Sequence, residues 1–189
     1  MTMPCNRNNA RAGAGVAAAL ALFFLLANPA GAARPQDELL RYRTAERIAS
    51  RHLATFDTLD FDVFTNRKWD RLKESHAADI VVHWPDGHQT KGIARHIADL
   101  KALFVYAPDT RIREHPIKIA HGEWTSVVGV MQGTFTRPMP VAGARPIAPT
   151  GKPFSLIMCT VGHWKNGVMD EEYLFWDNAS YLRQIGIGK

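Results

Sequence analysis

The chain has 189 residues, 46% of them hydrophobic, and 23 basic against 18 acidic side chains give it a net charge of +5. That length suits one domain with a real core. No run of Lys and Arg is interleaved with aromatics, which argues against nucleic acid as a partner.

The first segment has the marks of an export leader. Arg7 and Arg11 precede Val16 to Leu26, eleven apolar residues, and Asn28-Pro29 and Ala30-Gly31-Ala32-Ala33 follow. Eleven residues are too few for a span of roughly 20. Residues 1–32 are therefore read as a signal peptide cut after Ala32, with Ala30 and Ala32 as the small pair. The implied location is periplasmic or secreted, with no membrane contact after cleavage. Its removal leaves residues 33–189 as one domain, 21 basic against 18 acidic side chains and a net charge of +3. Cys159 is then the only cysteine, so no internal disulfide can form. Its place in the apolar run Phe154–Val161 suggests a buried small hydrophobe.

Leu39, Leu40, Ile48, Ala49, Leu53 and Phe56 recur at helical spacing and predict a helix over 37–58, with Asp37 able to cap it. A bend over 57–66 and a short helix over 66–76 follow. A strand over 78–84 ends at Pro85-Asp86-Gly87. Ile93, Ile97, Leu100, Leu103 and Phe104 predict a helix over 92–105, stopped by Pro108-Asp109. His96 and Asp99 on it are read as solvated. Residues 110–120, 123–136, 153–165 and 168–176 are rich in β-branched and aromatic residues and read as strands. Asn166-Gly167 between the last two is a strong signal for a two-residue hairpin turn. A helix over 178–184 closes the chain. Helices first and long antiparallel strands after predict an α+β fold, with helices on one face of a curved sheet. Period-two alternation sets Val168, Leu174 and Trp176 opposite Tyr173 and Phe175. Trp164 joins the first group, and a bare face with two tryptophans implies a homodimer.

From residue 149 onward the text becomes specific: Pro149-Thr150-Gly151-Lys152, His163-Trp164-Lys165-Asn166-Gly167, Glu171-Glu172-Tyr173-Leu174-Phe175-Trp176-Asp177 and Leu182-Arg183-Gln184-Ile185-Gly186. This pattern resembles the SnoaL-like polyketide cyclase / ester cyclase family of the nuclear transport factor 2-like superfamily. Ala78 to His83, Gly92 and Ala107-Pro108-Asp109 fit in order, so the resemblance covers about 40–187. It implies a conical α+β barrel of strongly curved antiparallel sheet, with the N-terminal helices on its concave side and a pocket at its wide end. It also implies ring closure by intramolecular aldol condensation, with no metal and no cofactor. Asp177 matches the family's general acid/base and His163 the assisting histidine. His83, Phe104, Phe135, Glu171, Tyr173 and Phe175 are the implied substrate-binding residues. Many relatives carry Gly-Thr-His where this chain has Gly133-Thr134-Phe135, which puts a three-residue catalytic arrangement in doubt.

Strict pairing outward from Asn166-Gly167 conflicts with a pocket holding both His163 and Asp177. It sets His163 opposite Asp170, while Glu171, Tyr173, Phe175 and Asp177 share the other face. A bulge would resolve this. An acid in an apolar wall has its pKa raised and can donate a proton to a developing oxyanion, and an imidazole can orient it. Asp177 could equally cap the last helix. Glu171 and Glu172 point oppositely, so at least one lies on the surface. His83, Asp86 and His88 span a Pro-Gly turn with no zinc-site spacing. The expected function is binding of a small apolar carbonyl compound with cofactor-free acid/base chemistry. A non-catalytic binding module, or an isomerase, dehydratase or hydrolase on the same fold, are the alternatives.

Overall fold

The computed structural model describes residues 34–188; the predicted leader lies outside the described residues. Helix α1 runs Pro35–Thr58. Pro35 stands at its first position, where a missing N–H costs nothing, and Asp37 falls inside the first turn instead of capping it. Only the C-terminal half of α1 is buried, through Ala49, His52 and Phe56.

The predicted bend is a π-helical turn, Leu59–Phe64, continuous with α1. Its wider hydrogen bonds, such as Thr65 N–H to Asp60 C=O at 3.3 Å and Lys68 N–H to Val63 C=O at 2.8 Å, turn Leu59, Val63 and Phe64 inward. A 3-10 helix Trp69–Glu74, strand β1 His76–His83, strand β2 Gln89–Lys91 and helix α2 Ile93–Tyr106 follow. The strand expected over 110–120 is two short ones, β3 Arg111–Ile112 and β4 Ile117–His121. Both pair with β5, Trp124–Thr134. The break over 113–116 contains Pro116, which has no N–H for a ladder. β6 Pro153–Lys165, β7 Val168–Trp176 and helix α3 Asn178–Gln184 have the predicted bounds.

One sheet carries all seven strands in the order β2-β1-β7-β6-β5-β3, with β4 beside β5. It is curved and unclosed. All pairs are antiparallel except β1 with β7, which is parallel. Asn166 and Gly167 both adopt positive φ, 54° and 86°, as a tight right-twisting hairpin requires.

The hairpin register holds one irregularity. Lys165 pairs with Val168 and Trp164 with Met169, but His163 pairs with Glu171. Asp170 is the extra residue of a β-bulge, and beyond it every side chain swaps faces. Leu174 therefore points inward, as does Glu172, and Tyr173 and Phe175 point outward. This reverses the predicted faces: Trp164 and Leu174 are core, and Trp176 packs against it. The solvent side instead exposes Ile157, Phe175 and Trp124. Cys159 is half-buried there, its Sγ 3.5 Å from Ser126 Oγ, and not in the core.

Two core clusters fill the space between helices and sheet. One gathers Phe56, Leu72, Ile80, Val82 and Trp164; the other gathers Phe64, Phe104, Phe135, Phe154 and Ile185. Leu100, Met158 and Trp176 touch both. Each fully buried side chain of this size contributes about 1.5–3 kcal/mol.

Gly133 pairs with Phe154, and a Cβ there would lie 2.7 Å from Phe154 Cζ and 3.0 Å from Thr110 Oγ1. Phe154 is itself buried, so it cannot simply swing out. Gly133→Ala is expected to destabilise the protein by about 1–3 kcal/mol, read as a lower midpoint in urea unfolding with unchanged slope.

Candidate functional site

Where the two clusters meet they leave a cavity of about 300 Å³, the size of a small-ligand site. Its wall is mostly apolar, with Leu59, Phe64, Leu103, Met131, Leu156 and Trp176 among the lining residues. Acids and imidazoles interrupt it: Asp60, His76, His96 and Glu172, with Asp99, which pairs with Arg95, beside them. A larger hollow of about 660 Å³ lies beside α1, between Leu40, Arg41 and the Asn166-Gly167 turn. No buried acid faces it, so the smaller cavity is the chemical one.

The bulge at Asp170 delivers Glu172. Its residue is 5% exposed, and its Oε2 lies 3.3 Å from His96 Nε2 and 3.7 Å from His76 Nε2. Burial acts to raise the Glu172 pKa, but the two imidazoles outweigh it and hold the acid below its ordinary value. His76 opens β1, and its Nδ1 is 2.9 Å from Ser75 Oγ, whose own proton goes to Leu72 C=O at 3.1 Å. His96 is buried on α2 and does not face solvent as expected. Burial pushes its pKa down to about 4 despite Glu172, so the ring is neutral at pH 7.

The π turn delivers Asp60, whose side chain is 13% exposed. His115, from the break between β3 and β4, stands behind it, 1% exposed and flanked by Phe61 and Phe56. Its Nε2 reaches Asp60 Oδ2 and its Nδ1 reaches Asp57 Oδ1, each at 2.8 Å. Lys118 Nζ closes the row on Asp57 at 2.7 Å. Two carboxylates on one imidazole favour the doubly protonated ring. Burial alone would lower the His115 pKa, but Asp60 and Asp57 together raise it. Burial raises Asp60 above the ordinary carboxylate range, against the pull of His115. A carboxyl so placed can hold a proton nearer neutrality.

None of the residues predicted for the site lines this cavity. Asp177 caps α3, accepting from Ser180 N–H at 3.1 Å, with its side chain 59% exposed. Those Ser180 bonds lower its pKa, the opposite of what a general acid needs. His163 lies on the outer face, 2.6 Å from Asp170 and against Trp124. It sits five residues along β6 from Met158, the partner of Trp176, roughly 17 Å away at the rise of a strand. The Asp177–His163 pair is therefore not brought together. His83 bonds Glu171 at 2.8 Å and stacks on Tyr173, whose hydroxyl donates to Glu171, again on the outer face. Phe175 is 53% exposed. Phe104 and Phe135 are buried behind the cavity wall, Phe104 against Phe64 and Trp69, Phe135 against Tyr106.

The sequence model of the SnoaL-like polyketide cyclase family matches residues 56–185. The chain belongs to this family. No curated protein matches the sequence. Solved structures give the fold independently. A provisionally assigned SnoaL-like polyketide cyclase of Jannaschia sp. CCS1 aligns with a TM-score of 0.64 at 19% identity, over 75% of this chain and 96% of its own. IdmH of Streptomyces antibioticus, also a provisional polyketide cyclase, gives 0.60 at 22% identity, over 71% and 98%. A ketosteroid isomerase-like protein of Catenulispora acidiphila, solved with trimethylamine, gives 0.55 at 14%, over 72% and 92%. The SnoaL-like fold of this chain thus keeps the tail motif while its buried ionisable groups lie elsewhere.

The missed residues left some signal. His96, Leu100 and Leu103 follow at i, i+4 and i+7, one helical face, and Asp60 continues the face of Phe56. His76 and His115 left none, because only the strand starts and breaks aim them.

His115 also sets a pH dependence. Its folded pKa is raised above the ordinary 6.5. The stabilisation is therefore complete below about pH 6.5 and is lost as pH rises through the raised value. His115→Gln should cost about 1.5–3 kcal/mol at pH 6, because it removes the charged ring that bonds Asp57 and Asp60, each at 2.8 Å. Melting curves from pH 6 to 9 should show the gap to wild type narrowing as pH rises.

Proposed function

We propose that the chain binds a small, mostly apolar carbonyl compound in the cavity and performs proton-transfer chemistry on it. Asp60 is the acid/base, and His115 and Asp57 orient it and supply charge. The observation that carries this reading is a largely buried carboxyl in an apolar wall, backed by an imidazole that reaches the surface through Asp57. Membership of the SnoaL-like polyketide cyclase family supports ring closure by aldol condensation as the reaction. In that step Asp60 takes a proton from the ligand's acidic methylene, the resulting enolate carbon bonds the acceptor carbonyl carbon as its C=O π bond opens, and Asp60 returns the proton to the new alkoxide. Leu59, Phe64 and Trp176 would exclude water from the folded-up chain.

A non-catalytic binding module is the second reading. It is favoured by the exposed position of Asp177, where the family resemblance sets the catalytic acid. Export through residues 1–32 fits either reading. So does a homodimer, supported here by the exposed Ile157, Phe175 and Trp124 on the outer sheet face.

A thermal-shift screen of aromatic 1,3-diketones and related carbonyl compounds, followed by mass spectrometry of each hit, tests the proposal. Asp60→Asn should retain ligand-induced stabilisation and lose turnover by roughly 10²–10⁴-fold. Turnover unchanged in that variant overturns the role of Asp60. Hits recovered chemically intact from wild type establish the binding module instead.

A further inference from the structure

We propose that His76, His96 and Glu172 form a binding site for one divalent transition-metal ion in the cavity wall. The three residues come from β1, α2 and β7, and one donor atom from each lies within 4.8 Å of the others. All three residues are buried. The two contacts to Glu172 Oε2, 3.3 and 3.7 Å, lie close to the ligand–ligand spacing of about 3.3–3.6 Å that follows from metal bonds of about 2.0–2.2 Å in tetrahedral geometry.

The hydrogen bonds behind His76 make the geometry point to a cation. Ser75 Oγ donates to Leu72 C=O at 3.1 Å, and with that bond made it accepts at 2.9 Å from the His76 tautomer that carries its proton on Nδ1. That tautomer leaves the His76 Nε2 lone pair free to bind a cation, and Nε2 lies 3.7 Å from Glu172 Oε2. Among the described residues, neither His76 Nε2 nor Glu172 Oε2 has a hydrogen-bond partner, though both are buried. Two buried polar atoms left without partners in an apolar wall cost free energy that a shared cation removes. Ser75 is also the partner that a metal-bound imidazole uses to fix its tautomer and direction. Asp60 nearby adds negative charge to the same hollow, and its one counter-ion, His115, is shared with Asp57.

Two imidazoles and one carboxylate suit zinc or iron(II) and leave coordination positions open toward the cavity. Such a metal would supply a Lewis acid for a carbonyl oxygen of the ligand. The inference goes beyond the reading above and does not depend on it: a metal can bind whether or not Asp60 moves a proton. The ligand spacing, 20 residues from His76 to His96 and 76 from there to Glu172, follows no sequence signature, so only the fold assembles the set.

The experiment is metal titration of protein purified through a chelator. Zinc should bind at one ion per chain by calorimetry and by elemental analysis after dialysis, and should raise Tm by several degrees. Cobalt(II) should give the intense visible bands of a four- or five-coordinate site. Glu172→Gln and His76→Asn should each weaken zinc binding by at least about 100-fold, and Ser75→Ala by roughly 10-fold, the usual effect of losing an outer hydrogen bond. Circular dichroism separates loss of the site from loss of the fold, and the milder Ser75→Ala keeps the test decisive if a ligand variant unfolds. No stoichiometric zinc in wild type, or equal binding in Glu172→Gln, overturns the inference. Asp60→Asn should keep the cobalt spectrum, so failure of the metal and failure of the acid/base reading are told apart.

Discussion

The single extra residue at Asp170 decides what the cavity contains. Without it, period-two alternation from Trp164 and Met169 would turn Glu171, Tyr173 and Phe175 inward. With it, Glu172, Leu174 and Trp176 face the helices. The bulge is held by the His163–Asp170 contact on the solvent side, so a surface pair fixes the identity of the interior. The outer face keeps the displaced set, and there Glu171 finds His83 and Tyr173 as polar partners.

Placing Asp60, His76, His96 and Glu172 in an apolar hollow is costly unless each finds a partner. The fold meets the cost unevenly. Asp60 has His115, and behind it Asp57 and Lys118 lead the charge out to solvent. Among the described residues Glu172 Oε2 has only His76 and His96, at distances longer than good hydrogen bonds, and His76 is held from behind by Ser75. Local inconsistency of this kind is where function concentrates in otherwise consistent folds. The two groups of residues give the cavity one end already neutralised and one end still electron-rich.

Two irregular backbone segments do the positioning. The π turn at Leu59–Phe64 carries Asp60 into the wall, and π turns within helices recur at functional sites. The break between β3 and β4 sends His115 to meet it. Both lie far in sequence from the tail motif that links the chain to its family, so family membership and site chemistry rest on different parts of the molecule. The fold is shared with relatives at about 20% identity, and a fold by itself assigns no reaction.

Periodicity and turn chemistry made most of the architecture legible. Asn166-Gly167 and the alternation around it gave β6 and β7 their full lengths, and apolar spacing gave α1 and α2, because these are local preferences of the backbone. The tail motif gave the family. The faces of β7, the burial of His96 and the exposure of Asp177 were not legible. A bulge shifts a strand by one residue for reasons that lie across the hairpin, and a helix cap looks like a catalytic acid until the neighbouring wall is known. The sequence by itself determined which segments are helix and strand, because that depends on neighbours a few residues away. Only the tertiary structure decided which acids and imidazoles share the cavity, because Asp60, His76, His96, His115 and Glu172 meet through packing between segments up to 112 residues apart.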